Sequence, residues 1–365
     1  MTILVANVLL QCFWGLILLR KGCERKGLFC AISSFQLFFI SGFRAWNVGS
    51  DLDAYQNHFY ITSFEDPFDV LGRLLASLWG KDAGVGLEPG YDLFILQPIH
   101  ALGGDFQWLL LFVAGIVSLS AGRFIYKFSD NALISFIILS TVFPSILFLG
   151  AMRQAVAIAL VVFWGYDYVV RRRFVPFAMI TLLAFTIHPS AAIFLPFYFL
   201  YQIKVTTRIY LIGIMLVLVT IPVSRVLFPY VAGFFGYDSF TYDYVGRSTV
   251  VYAGLFALVT MVVFFMRERF LLLGKSANAC MVALLCVLLA LPFAFVNSNA
   301  LRAAWYYMML LILFVPMFFE AIEPRLRPLF WILLFLGAFA CLFFTAPLVL
   351  PDTGYKFIFL PVWFS

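Results

Sequence analysis

Residues 131–173 read NALISFIILSTVFPSILFLGAMRQAVAIALVVFWGYDYVVRRR. The stretch holds two apolar runs, 131–150 and 152–170, and it ends in consecutive arginines at 171–173. Neither run shows the alternation of polar and apolar residues that a lipid-facing β-strand needs. Each is long enough to cross a hydrocarbon core of about 30 Å as a helix. The stretch therefore predicts a pair of transmembrane helices.

The composition extends this interpretation to the whole chain. Of the 365 residues, 64% are hydrophobic and only 12% are charged, and the mean hydropathy is +1.02. A soluble domain carries about 25% charged residues. Too few polar side chains remain to cover a water-facing surface. We therefore expect an all-α polytopic membrane protein with a single transmembrane domain over residues 1–365.

Apolar runs of spanning length recur along the chain and predict about twelve transmembrane helices. They occupy residues 3–19, 28–46, 107–126, 131–150, 152–170, 174–188, 189–203, 209–228, 250–266, 279–296, 300–319 and 328–350. A further apolar segment, 91–104, is short and is interrupted by Pro98 and His100. We expect it to form a half-helix that does not span the membrane.

The distribution of Lys and Arg predicts the orientation, because cytoplasmic loops carry an excess of both. If the N-terminus lies outside and the runs cross in turn, 16 of the 24 basic residues fall inside and 8 fall outside. A full crossing by 91–104 would place either 171–173 or the early basic loop outside. The net charge of +6 belongs to these short loops and does not indicate nucleic-acid binding.

In this orientation the longest polar stretches lie outside. One is 47–104, which we expect to contain short helices, and the other is 229–249. Ionisable groups at membrane depth cost about 2.5–3.5 kcal/mol by insertion scales, so such groups near the outer face call for an explanation. We therefore expect any chemistry at the outer face.

Two acidic residues of the first outer stretch are candidates for handling a hydroxyl group. Asp51 follows Gly49 and precedes a predicted helix, so its carboxylate suits a helix cap and a general base equally well. Glu88 begins the sequence EPGY at 88–91. It is either an ordinary loop acid or a group that points into an outer cavity, because short helices at membrane depth normally line such cavities.

Several basic residues at the predicted outer face suit an anion. Arg153, followed by Gln154, has no acidic neighbour in sequence and could bind phosphate oxygens with its planar guanidinium, or could simply reach the interface. Arg302, with Tyr306 one helical turn further on, allows the same two interpretations. Arg247 is a weaker candidate, because the flanking loop offers it water and acidic partners.

His188 lies at the turn between two short apolar runs. A lone histidine is more often a satisfied polar residue than a catalyst, but at a helix break it could donate to a phosphate or take a proton from a hydroxyl. No H-x-x-x-H pattern occurs, and the D-x-D at 51–53 is common by chance, so we expect neither a metal nor a cofactor. Arginines, a histidine and carboxylates together suit a polyprenyl pyrophosphate.

The same residues resemble a known family in their order and spacing. The motifs are Gly49-Ser50-Asp51 with Tyr55, Glu88-Pro89-Gly90-Tyr91, Arg153-Gln154 with Ala157, His188-Pro189-Ser190-Ala191, and Arg302 with Tyr306. In this order they resemble the EpsG-like family, which is similar to the Wzy-type O-antigen and exopolysaccharide polymerases. The resemblance covers about residues 45–310.

The resemblance implies a metal-independent glycosyltransferase of the C type in the bacterial inner membrane. It would polymerise undecaprenyl-pyrophosphate-linked oligosaccharide repeats at the periplasmic face, and a chain-length regulator is the protein partner that it suggests. By analogy, Arg153 and Arg302 would hold the pyrophosphate, and His188 with Asp51 or Glu88 would handle the acceptor hydroxyl. The remaining substrate-binding candidates are Gln154, Tyr306, Tyr55 and Arg247.

Other functions stay open at this point. A transporter or flippase of a lipid-linked oligosaccharide would place its charges near the bilayer midplane and would show repeat symmetry between halves. The charges lie instead near the predicted outer face, and no such symmetry is visible. An O-antigen ligase, or a single-sugar transferase with a polyprenyl-phosphate donor, is not separated from a polymerase by the sequence.

Overall fold

The computed structural model describes residues 2–20, 22–78, 88–234, 245–345 and 355–358, and these are predominantly helical. The α-helices of these ranges are α1 (Thr2–Leu18), α2 (Lys26–Gly42), α3 (Leu52–Thr62), α4 (Pro67–Leu78), α5 (Pro89–Tyr91), α6 (Gln97–Ala101), α7 (Phe106–Phe128), α8 (Ala132–Val142), α9 (Pro144–Leu147), α10 (Met152–Ile158), α11 (Gly165–Val170), α12 (Phe174–Ile187), α13 (Phe197–Leu200), α14 (Thr207–Phe234), α15 (Arg247–Leu272), α16 (Lys275–Ala294), α17 (Leu301–Met308), α18 (Leu311–Ala321) and α19 (Arg327–Thr345). Two π-helical segments, Asp92–Leu96 and Ala159–Trp164, join α5 to α6 and α10 to α11.

Each predicted apolar run contains at least one helix among the described residues. Among the described residues, 6 helices are long and apolar enough to cross a membrane, and α17 with α18, bent by 54°, would make a seventh span. The other runs fall on apolar helices of 10–17 residues. The chain is thus a polytopic helical membrane protein, whereas the number of about twelve crossings and the glycosyltransferase C-like arrangement stay predictions.

The run 131–150 is not one helix, contrary to the sequence-based expectation. α8 ends at Val142 and only the short α9 follows before the chain leaves the helical path near Phe148. Pro144 explains the break, because proline has no N–H to donate and disfavours helical geometry at the residue before it. The Ser41 hydroxyl of α2 donates to the Phe148 carbonyl at 2.7 Å, which fixes the broken segment in place.

Basic residues predicted to lie inside meet at one end of the span 152–170. Asp167 accepts from Lys127 at 2.6 Å and lies 3.3 Å from Arg123. The Arg171 Nε lies 3.0 Å from the same carboxylate. We call this the Asp167 end of the bundle. Residues that the charge count placed on one side of the membrane are therefore close together in space.

The opposite end of the same span begins near Arg153, and residues predicted to lie outside gather there. The backbone after α2 pairs with the C-terminal segment, since Ala45 N donates to the Lys356 carbonyl at 2.9 Å. Phe357 shares a cavity with Ile3 of α1, so the two described chain ends are neighbours. We call this the Arg153 end.

The segment predicted as a half-helix forms a short helix over residues 89–101 through α5, the first π-helical segment and α6. At 1.5 Å per residue it is about 20 Å long, less than a hydrocarbon core. Glu88 at its start contacts Arg153, and just after its end Trp46 Nε1 donates to Gln107 Oε1 at 3.2 Å. Both ends thus lie near the Arg153 end of the bundle.

Two helices extend into the range 229–249, whose position as a second outer loop stays a prediction. α14 continues through Phe234 despite the internal Pro222 and Pro229, and α15 begins at Arg247. Proline is tolerated in transmembrane helices because neighbouring groups satisfy the freed carbonyls. Residues 235–244 lie outside the described part of the chain.

A close contact holds the half-helix against α12. A Cβ built on Gly90 would lie 2.1 Å from Thr186 Oγ1 and 2.7 Å from the Thr186 carbonyl oxygen. Any larger residue at position 90 would push the half-helix away from α12. Glu88 lies two residues before Gly90 and His188 lies two residues after Thr186, so the same change would separate Glu88 from His188.

We expect Gly90→Ala to destabilise the protein by about 1–3 kcal/mol, the usual cost of overpacking. The measurement is the midpoint of thermal unfolding in detergent. The matched control is Gly72→Ala in α4, where nothing lies within 4 Å of the added Cβ. Alanine is the better helix former, so the control should keep or slightly raise the midpoint. Equal midpoints for Gly90→Ala and wild type would contradict the packing argument.

Candidate active site

Most of the residues singled out in the sequence line one cavity at the Arg153 end. The cavity has a volume of about 240 Å³. Its predicted members are Asp51, Tyr55, Glu88, Arg153, Gln154, His188 and Arg302. Asp51 and Arg302, the outermost of these residues in sequence, lie 251 positions apart, so only the fold brings them together.

Glu88 bridges two polar groups of the cavity, Arg153 and His188. Its Oε2 lies 2.5 Å from Arg153 Nη1, and its Oε1 accepts from His188 Nδ1. Only 7% of the residue is exposed. Burial by itself would raise the pKa of the Glu88 carboxyl, but His188 and Arg153 lower it below its usual value of 4.5. Glu88 is therefore ionised and pairs with both neighbours.

Arg153 is fixed by aromatic rings as well as by Glu88. Its guanidinium carbon lies 5.4 Å from the centre of the Tyr55 ring and 5.2 Å from that of Tyr91. Cation–π contacts of this kind are worth about 0.5–2 kcal/mol, the more so away from water. The sequence showed no acidic neighbour for Arg153, but the fold supplies one from 65 positions away. An arginine has five N–H donors, so others remain for an anion.

His188 ends α12 at a break in the backbone. The backbone N–H of His188 donates to the Ala184 carbonyl at 2.8 Å, and Pro189 then starts a 3₁₀ turn. Because Glu88 accepts from Nδ1, the Nδ1 atom carries the proton in the neutral ring and Nε2 carries the lone pair. This tautomer is the one that can take a proton from a hydroxyl at Nε2.

Gln154 and Tyr306 lie behind the catalytic candidates. The Gln154 amide donates to the Arg302 carbonyl at 2.7 Å and to Ser190 Oγ at 3.4 Å. The Ser190 hydroxyl is also 3.0 Å from the Tyr306 hydroxyl. Tyr306 is fully buried and does not line the cavity. These contacts join α10, the turn after His188 and α17, so they hold Arg302 in register with the other residues.

Arg302 is the more accessible of the two cavity arginines, with 37% of its side chain exposed compared with 24% for Arg153. Its Nη2 lies 3.7 Å from Asp51 Oδ2, a looser contact than the one between Arg153 and Glu88. The Asp51 side chain makes no capping hydrogen bond to α3. Of the two roles left open for Asp51, helix capping is therefore not observed.

The backbone around Asp51 is unusual. Asp51 has φ 61°, in the left-handed region that few residues other than glycine adopt, although aspartate is among those that do. Gly49 has φ 134°, and a Cβ there would lie 2.4 Å from the Leu149 carbonyl oxygen. Ser50 N donates to that same carbonyl at 3.0 Å. The glycine thus lets this turn pack against the broken segment that leads into Arg153.

Sequence reasoning did not select Arg44, although it lies at the same end. Arg44 is 2% exposed, and it donates to the Phe148 carbonyl and to Ser41 Oγ. Within the described residues no carboxylate lies within ion-pair distance of it. An arginine at the end of an apolar run without an acidic neighbour was the available signal, the same one that marked Arg153. The side chain of the other predicted residue, Arg247, lies outside what the structure describes.

The two remaining histidines do not join the cavity. His58 Nε2 is 2.7 Å from Asp92 Oδ1, and His100 Nε2 is 3.3 Å from Thr62 Oγ1. Among the described residues, no group of three or more His, Cys, Asp or Glu side chains could hold a metal ion. Metal independence stays a prediction.

We expect Glu88→Gln to lower the free energy of unfolding by about 3–5 kcal/mol, because it leaves Arg153 without its carboxylate in a buried site. The matched control is Glu65→Gln, whose carboxylate is 28% exposed and whose partner Arg73 keeps a second carboxylate, Asp92, at 3.7 Å. There we expect about 1 kcal/mol or less. The measurement is thermal or denaturant unfolding of both variants beside wild type.

The Glu88→Gln effect should also depend on pH. The pKa of Glu88 is depressed in the folded protein, so its stabilisation is complete above the usual value of 4.5 and is lost as the pH falls through the folded-state pKa. The difference in stability between wild type and Glu88→Gln should therefore shrink in acid. A difference that stays constant from neutral pH to below pH 4 would show that the charge of Glu88 does not carry the effect.

The region of the chain that forms the cavity also matches a known protein family. The model of the EpsG family matches residues 27–358, which include every residue that lines the cavity. Searches of the curated proteins and of the solved structures found no match. The family match supports a polysaccharide-polymerase type of function in broad terms. With nearly its whole length matched, the chain belongs to the EpsG family.

Proposed function

We propose that this membrane protein polymerises lipid-linked oligosaccharide repeats by glycosyl transfer from a polyprenyl pyrophosphate. The observation that carries the proposal is the bridge from Glu88 to His188 and Arg153 inside a cavity that also holds Arg302. A buried carboxylate that orients an imidazole beside two guanidiniums combines a base with an anion-binding site. Membership of the EpsG family supports the same class of reaction.

In the proposed reaction, His188 acts on the acceptor. The sugar hydroxyl of a new repeat gives its proton to His188 Nε2 while its oxygen forms a bond to the anomeric carbon of the growing chain. Glu88 is a positioning residue, since it holds the Nδ1 proton and stabilises the imidazolium that forms. Because Glu88 already contacts His188 before the reaction, the charge that develops on the imidazole is stabilised without a rearrangement of solvent.

The arginines act on the leaving group. As the bond between the anomeric carbon and the phosphate oxygen breaks, its electron pair leaves with the polyprenyl pyrophosphate. Arg302 is the main ligand in this proposal, because its contact with Asp51 is long and its side chain is the more exposed. A pyrophosphate can replace Asp51 on Arg302, whereas Arg153 keeps Glu88 and offers its other donors.

The arginines and carboxylates of the cavity are equal in number, which limits how strongly net charge can attract an anion. The charges of Arg153 and Arg302 are matched by those of Glu88 and Asp51. A neutral cavity of this kind does not hold a small anion by net charge alone. Affinity for a pyrophosphate therefore comes from the bidentate geometry of the guanidiniums, and the rest of a large lipid-linked oligosaccharide adds to it.

We further propose that the Arg153 end faces the periplasm and that the protein lies in the inner membrane. The excess of basic residues near the Asp167 end supports this orientation. The loops 47–104 and 229–249 would then lie outside the cytoplasm, with the cavity open to the compartment into which lipid-linked repeats are delivered. A chain-length regulator would be a partner on that side.

Cysteine labelling tests the orientation. In a variant without native cysteines, Asp66→Cys at the start of α4 and Arg173→Cys before α12 both place a thiol at an exposed position. In spheroplasts we expect a membrane-impermeant maleimide to label Asp66→Cys at once and Arg173→Cys only after permeabilisation. The reverse pattern would place the cavity on the cytoplasmic side and contradict a periplasmic polymerase.

The reaction is tested by incubating the purified protein with a synthetic lipid-linked repeat. Wild type should give a ladder of products that differ by whole repeats. His188→Gln should lower the rate by about 10²–10⁴, the usual contribution of a general base. His100→Gln is the matched control, because His100 contacts Thr62 and does not line the cavity, and it should keep a rate close to wild type.

The products also separate the alternatives. A single added unit would indicate a ligase or a single-sugar transferase, and movement of the intact substrate across vesicles without a ladder would indicate a flippase. A His188→Gln variant with wild-type polymer length and yield would remove His188 from the mechanism.

A further inference from the structure

A second cavity adjoins the charged one and shares His188 and Arg302 with it. Its volume is about 230 Å³. Apart from the shared residues, Ser190 and Asn299, its walls are apolar, with Phe228 and Val231 from α14 and Phe293 from α16. A charged cavity and an apolar cavity thus meet at one histidine and one arginine.

The wall formed by α14 borders the membrane. In the most apolar window of Thr207–Gly233 only 17% of the residues are buried inside the protein, compared with 72% for Met152–Val170. The outer part of α14 packs on the rest of the protein through a small apolar cluster, separate from the main core, of Phe228, Ala232 and Val296. An apolar chain in the bilayer therefore lies beside a helix that forms one wall of the cavity.

We propose that the apolar cavity receives the isoprenoid chain of a lipid-linked pyrophosphate whose charged group lies on Arg302 in the adjoining cavity. This inference rests on the proposed function and names the part of the protein that recognises the lipid. A molecule in which an anionic group is joined to an apolar chain matches two cavities of the same character joined at Arg302 and His188.

The dimensions favour one chain. Ligand cavities for drug-sized molecules measure about 300–1,000 Å³, so this cavity can enclose only the part of a long chain nearest the pyrophosphate. The remainder would lie along the membrane-facing side of α14. Several alanines, among them Ala290 and Ala303, line the cavity together with Phe228 and Phe293, and their small side chains suit the methyl branches of a single isoprenoid. A phospholipid carries two acyl chains and a smaller charge at its phosphate.

A pair of soluble probes separates the two cavities. Inorganic pyrophosphate can use only the charged cavity, whereas farnesyl pyrophosphate can use both. In nanodiscs we expect wild type to bind farnesyl pyrophosphate at least about tenfold more tightly than inorganic pyrophosphate, because apolar surface of the chain is buried.

The variant Ala290→Phe fills the apolar cavity from α16, at a position that is only partly buried. It should remove most of the advantage of farnesyl pyrophosphate and leave the affinity for inorganic pyrophosphate unchanged. The matched control is Val226→Phe, which adds similar bulk at a side chain of α14 that is 65% exposed. The control should keep the wild-type ratio of affinities.

Cross-linking gives a readout on the wild-type protein that does not depend on a variant folding. A photoreactive farnesyl pyrophosphate should label Phe228 or Phe293, and excess inorganic pyrophosphate should reduce the labelling. Labelling that phospholipid displaces and pyrophosphate does not would make the cavity a general acyl-chain site and overturn the inference.

The outcomes also distinguish this inference from the proposed function. If inorganic pyrophosphate binds but farnesyl pyrophosphate binds no better, or if Ala290→Phe leaves their ratio unchanged, the isoprenoid site is wrong while the charged site stands. If neither probe binds, the pyrophosphate site itself fails, and both proposals fail with it.

Discussion

The carboxylate of Glu88 is the group on which the arrangement of the site depends. One oxygen faces Arg153 and the other faces His188, and almost none of the residue reaches solvent. A buried charge without partners would be strongly unfavourable, so the half-helix, α10 and α12 must stay together for the fold to be stable. The same bridge sets the tautomer of His188 and the position of Arg153. Stability and chemistry therefore rest on one pair of contacts.

Breaks in the helices gather around this bridge. The chain leaves helical geometry near Phe148, again at His188, and again near Asn297, and all three breaks lie at the Arg153 end. In a membrane, irregular backbone is tolerated where it is buried in protein or lines a polar cavity, since lipid offers no hydrogen bonds. The polar cavity and the broken helices thus explain each other. The apolar cavity beside them is lined by α14, a helix that is mostly exposed on the surface of the protein.

Several features of this arrangement followed from local patterns. The break at His188 was predicted from the two short apolar runs that meet there. The short helix after Glu88 was predicted from its length and from the interruption by Pro98 and His100. The extension of α14 through Pro229 was not predicted, because the neighbours that satisfy the freed carbonyl groups are remote in sequence. The partners of Arg153 were missed for the same reason. A pairing across 65 positions leaves no local signal.

The sequence by itself determined that the protein lies in lipid, that its apolar runs are helical and which charged residues are candidates for the site. An apolar composition can only be covered by lipid, apolar runs in lipid must be helical to satisfy their backbone, and charges that topology does not require stand out against that background. Only the tertiary structure decided which charges meet. It paired Glu88 with Arg153 and His188, placed Tyr306 behind the cavity and put Asp51 on Arg302 rather than on a helix cap. Ion pairs form between side chains that packing brings within a few ångströms, and no local pattern records that distance.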